Sequence, residues 1–351
     1  MRGRNRSNSL DKTKPVAAIV GSGSLVGREV RDVLAGGPFI TKLIGADTDE
    51  AGLLTEADGE AVVLTALDED HLAGAQVAFL AGTAESSRRA LDIVAKLASP
   101  PVLIDLTYVL EDRPGAYLRA PMVEPANYVA PPVPEHVIAH PAAIALALFL
   151  TRLEQIGRIR RSVAHVFEPA SERGHLGLEE LQKQTVNLLT FKQLPKAVYD
   201  EQVGFNLLAS YGSEAPESIE GIERRIERHL AALLSLHERV PMPSIRLIQA
   251  PVFHGHSFSL WVELEENPGR EALERGLQSA QIDVRGADLE PPNVVGVAGQ
   301  SGIAVGAISS DRNEPRACWF WVVADNLRIT AENGVAVART MIGRTGTARP
   351  Q

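Results

Sequence analysis

The sequence predicts an α/β protein in which a doubly wound parallel sheet is joined to a second domain of α+β type. Three observations carry this. Short apolar runs alternate with helical patterns from Val16 to Leu106, a glycine-rich turn links the first run to the first helix, and the texture changes near residue 140. Beyond that point longer, mixed strands are interleaved with amphipathic helices. At 351 residues, 45% hydrophobic and 23% charged, the chain is long for one domain and able to bury a large core.

Residues 1–14 carry five basic residues and one acid with no apolar stretch. They read as a disordered tail, not a signal peptide; contact with a small anionic partner is the alternative. Val16–Val20 is a buried strand ending in glycines. Leu25–Leu34 is a helix, with Val26, Val30, Val33 and Leu34 at helical spacing. Strands follow at Lys42–Ala46, Ala61–Leu64, Gln76–Leu80 and Val102–Leu106, with a helix at Ser86–Leu97 between the last two. Strand–helix alternation of this kind makes a parallel sheet with right-handed crossovers.

Ala142–Leu153 then reads as a buried helix and Arg158–Phe167 as a strand. Helices are expected at Leu178–Leu189 and Ile219–Leu236, and strands at Ser244–Val252, Phe258–Glu265, Asn293–Ala298, Ile303–Ile308 and Ala317–Ala324. Asp325–Met341 closes the chain as a helix that packs back on the first domain. The expected division is 15–141 with 325–345 as a nucleotide-binding-like domain, and 142–324 as an inserted α+β domain.

A net charge of −9 argues against a general nucleic-acid binder. The one cysteine, Cys318, excludes an intrachain disulfide framework and fits a reducing cytoplasm. The longest apolar run, Ala142–Leu150, is about half of the roughly 20 residues that a membrane span needs, so no membrane partner is expected.

Gly21, Ser22, Gly23, Ser24, Leu25, Val26 and Gly27 form a turn between a strand and a helix, where a nucleotide phosphate meets free amides at the helix N-terminus. The spacing Gly-x-Gly-x-x-x-Gly departs from Gly-x-Gly-x-x-Gly, and a tight turn that binds nothing is the competing reading. Asp47, 26 residues after Gly21, ends the second strand. Its carboxylate suits an adenosine ribose and repels a 2′-phosphate, and no arginine follows it directly; a solvated acidic loop is the alternative.

Four stretches together resemble the aspartate-semialdehyde dehydrogenase family. They are the Val16–Val30 strand, turn and helix; Ile138-Ala139-His140-Pro141-Ala142-Ala143-Ile144-Ala145, similar to the family's Ile-Ala-Asn-Pro-Asn-Cys-Ser-Thr; Ala250-Pro251-Val252-Phe253-His254-Gly255-His256-Ser257, similar to its Arg-Val-Pro-Val-x-x-Gly-His-Ser; and Trp321-Val322-Val323-Ala324-Asp325-Asn326-Leu327-Arg328. Order and spacing agree, and the resemblance covers about residues 15–342. It implies a Rossmann-type sheet, an α+β dimerisation and substrate domain, a homodimer, and a nicotinamide cofactor, NADP or NAD, with Asn326 joining the glycine turn as a cofactor contact. It also implies thiolate attack on an aldehyde, hydride transfer, and acyl transfer to phosphate.

Residue by residue, His256 keeps the family's acid/base position. Ala143 stands where the nucleophilic cysteine belongs, Glu168 at the family's glutamine, and Gln249 at its carboxylate-binding arginine. Glu111 falls near the phosphate-binding arginine. A carboxylate at 168 is expected to repel an anionic substrate, and an amide at 249 cannot supply a charged fork. Cys318 and the tryptophans at 261, 319 and 321 read as packing residues. His254 and His256 with His140, His165, His175 and Glu168 match no metal motif, so no metal is expected.

The expected function is a homodimeric binding protein that has lost the family's phosphorylating dehydrogenase activity and takes a small-molecule or protein partner. Two alternatives stay open: an NAD(P)-dependent oxidoreductase on another carbonyl with His256 as acid/base, and a nucleotide-sensing regulator.

Overall fold

The computed structural model describes residues 14–47, 50–57 and 60–347; the expected tail at 1–14 lies outside them but for Lys14. The chain opens with β1 (Val16–Val20), α1 (Leu25–Leu34), β2 (Ile40–Ile44), β3 (Leu54–Ala57), β4 (Glu60–Val63), α2 (Glu69–Leu72), β5 (Val77–Leu80), α3 (Ala84–Val94), β6 (Val102–Asp105), β7 (Tyr117–Arg119) and β8 (Glu135–Ile138). Six of these strands form one parallel sheet in the order β2-β1-β5-β6-β8-β7. Its inner strands β1 and β5 are apolar on both faces because helices cover both, so alternation is absent from their sequence. The expected strand at Ala61–Leu64 belongs elsewhere. It is β4, paired with β3 in a separate two-stranded hairpin.

The second half contains α4 (Pro141–Glu154), β9 (Ile159–Glu168), a 3₁₀ turn at Ala170–Arg173, α5 (Gly174–Leu189), α6 (Ile219–Leu234), β10 (Ser244–Gln249), β11 (His256–Leu264), α7 (Arg270–Leu277), β12 (Ile282–Val284), β13 (Ile303–Ser310) and β14 (Ala317–Ala324). The sheet order is β10-β9-β11-β14-β13-β12. Its four central strands are antiparallel, as expected, while both edge strands run parallel to their neighbours.

The strand expected at Asn293–Ala298 is instead a turn. Pro291 and Pro292 before it remove amide donors, and Gly299 after it takes a positive φ of 72°. Part of it still packs: Val297 is buried against Ala304 and Val323 with Val294 beside it, whereas Val295 is exposed.

α4 is apolar on every side and almost wholly buried, joining the main core that runs through both sheets. Burying each large side chain there contributes about 1.5–3 kcal/mol. The second sheet's inward positions pack on α4, α6 and α7, whereas the outward Val163, Phe167, Ser259, Trp261, Trp319 and Trp321 stay partly exposed. The closing helix α8 (Asn326–Thr347) returns to the first sheet. It packs along α1, where Arg328 pairs with Glu29 at 3.0 Å, and Asn333 accepts from the Met122 amide at 2.9 Å. No helix among the described residues is long and apolar enough to cross a membrane.

Candidate functional site

β8 runs into α4 through Ala139 and His140. His140 caps the helix: its Nδ1 accepts from the Ala142 amide at 3.2 Å, and its own amide donates to His229 Nδ1 on α6 at 3.0 Å. Both rings therefore carry their neutral-form proton on Nε2. Pro141 follows at the first helical position, where no amide donor is needed. Ala143 thus sits in the first turn of α4, fully buried, beside the positive end of the helix dipole. The helix dipole there would favour a thiolate; a methyl group has nothing to ionise.

The ends of β9 and β11 bring in the next two residues. Ser257 pairs with Phe167, so Glu168 and His256 lie at adjacent strand ends and share the buried face. The His256 ring lies 5.8 Å from His140 and 5.8 Å from Phe258, centroid to centroid, and neither of its nitrogens has a hydrogen-bond partner. Burial, helped by the nearby Arg173 charge, holds its pKa down to about 3, so the imidazole is neutral.

Glu168 does not act as a free repelling charge, contrary to the sequence expectation. It is fully buried, which raises its pKa to about 8 against the pull of Arg173, whose Nη2 donates to it at 3.1 Å. Gln249 has its amide committed: Nε2 donates to the Glu168 and Ala250 carbonyls at 2.9 and 3.0 Å, and Oε1 accepts from Tyr211 at 2.6 Å.

Cations that are missing at the expected positions arrive from elsewhere. Arg173 comes from the 3₁₀ turn and Arg225 from α6, and both donate to Glu217. Arg225 also binds Glu111 at 3.0 Å, and Arg228 adds a contact at 3.2 Å. Desolvation raises Glu111, but bonds from His229 and Arg225 outweigh it and hold the carboxyl at about 2. The Arg225 guanidinium lies 4.8 Å over the ring of Tyr108, which itself stacks 5.8 Å from His140 and takes a φ of +62°. Such a backbone is uncommon for an aromatic residue and places its ring between α4 and α6. Glu172 completes the group, 3.5 Å from His140 Nε2.

The glycine turn is shaped first by packing. Cβ atoms at Gly21 and Gly27 would lie 2.2 Å from Gly82 Cα and the Gly21 carbonyl respectively. Ser24 caps α1 by accepting from Gly27 at 2.9 Å, leaving Leu25 and Val26 as first-turn amides without intrahelical acceptors. Gly23 is the open position, with no atom closer than 3.6 Å to an added Cβ. These features fit a pyrophosphate. Glu50 opposes it, with Oε2 3.7 Å from that Cβ point and bonded to the Ala46 amide at 2.7 Å. His175 reaches the same turn from α5, 3.5 Å from the Gly23 carbonyl.

Asp47 has an arginine after all: Arg89 of α3 stands 4.0 Å away, so the carboxylate is not alone in facing a nucleotide ribose or its phosphate. Asn326 is buried, its Oδ1 accepting from Gly255 at 3.0 Å and its Nδ2 donating to Ser171 and Glu172 at 3.0 and 2.6 Å. It ties the start of α8 to the site loops. No group of metal-ligating residues occurs among the described residues; His254 is exposed in the turn before β11 and shares no strand face with His256. Cys318 is buried on β14, level with Val262, about 20 Å along β11 from His256 at roughly 3.3 Å per residue.

The structure therefore brings His256, Glu168 and the Ala143 turn together. Sequence reasoning missed Arg173, Arg225, Tyr108, Glu172, Glu217 and His229. Glu172 and Arg173 follow Glu168 by four and five residues, and Tyr108 precedes Glu111 by three, so these three lay beside positions already singled out.

Residues 150–329 match the family model "Semialdehyde dehydrogenase, dimerisation domain". The chain is 26% identical to an aspartate-semialdehyde dehydrogenase of Rickettsia bellii over 93% of this chain and 97% of that protein. It is 31% identical to a USG-1 protein homolog of Pseudomonas aeruginosa over 79% and 80%. A solved probable aspartate-semialdehyde dehydrogenase from Pseudomonas aeruginosa superposes with a TM-score of 0.80 at 28% identity, covering 95% of this chain and 99% of that one.

Proposed function

Because this chain belongs to the aspartate-semialdehyde dehydrogenase family, we propose that it keeps the family's dimer-forming shape without the phosphorylating dehydrogenase reaction, and acts as a homodimeric binding protein. Ala143 carries this reading. The first turn of α4 is where a nucleophile gains from the helix dipole, and the residue there has none. No neighbour substitutes: the Ser171 hydroxyl is engaged by Asn326, and Cys318 is remote. Gln249 adds support, since its amide is used up inside the fold.

The homodimer is proposed on the outward face of the second sheet, where Phe167, Trp261, Trp319 and Trp321 form a partly exposed apolar surface. Their indole N–H groups are already satisfied by Asp311 and Pro292, so covering them strands no donor. In domain terms the chain is divided at 15–141 with 325–345, and at 142–324. A free, buried Cys318 suits a cytoplasmic setting.

A second reading rests on the first-turn amides of α1 and on the unpartnered His256. NAD or NADP would be held by residues 21–27, supplying hydride chemistry, while neutral His256 would hold a substrate carbonyl by its N–H. Arg89 beside Asp47 leaves room for either cofactor. Titration with each dinucleotide, followed by tryptophan fluorescence, separates the readings: absence of a response to both removes the oxidoreductase and the nucleotide sensor together.

A further inference from the structure

Two arginines from different elements converge on a single carboxylate. Arg173 of the 3₁₀ turn and Arg225 of α6 both donate to Glu217, the latter at 2.8 Å. Glu217 precedes Ser218, the N-cap of α6, and stands at the outside of the cluster: its side chain is 37% exposed, against 12% for Arg173 and 20% for Arg225. Two guanidiniums around one carboxylate are the arrangement by which proteins recognise a carboxylate ligand.

A second observation points inward from the arginines. Arg173 Nε, Glu168 Oε2, His140 Nε2, Tyr199 Oη and both ring nitrogens of His256 are buried with no hydrogen-bond partner. Glu168, His140, Tyr199 and His256 are each fully shielded from solvent. Leaving such an atom unpaired away from water is costly. Buried polar atoms are ordinarily paired, so this concentration around one arginine marks a place where a polar ligand supplies the partners.

We propose that Arg173 and Arg225 form a carboxylate-binding fork which Glu217 fills as an internal stand-in, and that the site takes a small organic carboxylate when Glu217 swings out to solvent. This rests on the reading of the chain as a binding protein and names its ligand class. The fork is distinct from Gln249, whose amide has no free capacity. Exchange of one carboxylate for another leaves the buried charge balance unchanged, and Glu217 loses little because it returns to water. Removing the carboxylate without replacement would leave two guanidiniums underpaired, which is costly away from solvent.

The test is calorimetric titration of malonate, succinate and inorganic phosphate into wild type, Glu217→Gln and Glu217→Gln/Arg225→Met, at low salt, neutral pH and without nucleotide. Glu217→Gln keeps the side chain's size and removes its charge. Malonate or succinate is expected to bind it about tenfold or more tightly than wild type, a gain abolished in the double variant. Equal affinity in wild type and Glu217→Gln, or a gain that survives Arg225→Met, overturns the proposal. Phosphate binding without either dicarboxylate overturns the ligand class. Should Glu217→Gln fail to fold by circular dichroism, Glu217→Asp, whose shorter arm cannot span both arginines, is expected to show a smaller gain in the same direction, and no gain counts against the fork. Binding is read without turnover, so dehydrogenase activity in the wild type would overturn the proposed function while leaving this result to stand or fall alone.

Discussion

The rings of His256 and His140 lie 5.8 Å apart, and His140 is the residue that caps the helix carrying Ala143 in its first turn. His256 and the helix turn that carries Ala143 are thus adjacent in space.

Restoring the thiol is the direct probe of that adjacency. In Ala143→Cys the helix N-terminus favours the thiolate while full burial opposes it, so the new cysteine is expected to react with a small alkylating agent more slowly in the folded protein than in the unfolded one. The extra sulfur in a fully buried position should cost about 1–3 kcal/mol of stability. No phosphate-dependent turnover is expected, since Gln249 still offers no charged anchor.

The pH dependence of stability should show two opposed contributions. His256, with a folded pKa of about 3, favours folding while neutral, so its contribution is complete above about pH 6.5 and is lost as the pH falls toward 3. Glu168, raised to about 8, favours folding while protonated; its contribution is complete below about pH 4.5 and is lost as the pH rises through 8. Denaturant unfolding across pH 4–9 should therefore show His256→Leu losing less stability than wild type on acidification. Glu168→Gln should lose less on alkalinisation. Curves parallel to wild type in both variants would contradict these environments.

Gly21→Ala and Gly27→Ala should each destabilise the fold, whether or not nucleotide is present. Each added methyl would lie 2.2 Å from backbone, and Gly21 also has a φ of +79°. A loss of about 2–4 kcal/mol, read from denaturant midpoints in the absence of any dinucleotide, is the expected outcome.

Trp319, 38% exposed on the outward face of the second sheet, offers a test of assembly. Trp319→Glu places a charge at the proposed dimer surface and should shift sedimentation from dimer to monomer. An unchanged dimer would move the interface elsewhere.

Much of this architecture was legible in the sequence. Apolar runs marked β1, which ends in glycines, and β5, and amphipathic spacing marked α1 and α6. The short β7, β8 and β12, only three or four residues each, left no periodic trace. Asn293–Ala298 misled because Val294 and Val297 pack although prolines and glycines bar a strand. At the site, motif positions located Ala143, Glu168, Gln249 and His256. They could not reveal that Arg173 and Arg225 converge, because that meeting joins a turn after β9 to the middle of α6 and depends on tertiary packing alone. Judged by sequence, the pocket had lost its cations; in space it holds two.

The most direct measurement of the central claim is phosphate-dependent oxidation of aspartate semialdehyde by the wild-type protein, with NADP and with NAD, followed by absorbance of the reduced cofactor. No turnover above the uncatalysed background is expected with either. Turnover comparable to that of a cysteine-bearing member of the family would contradict the account.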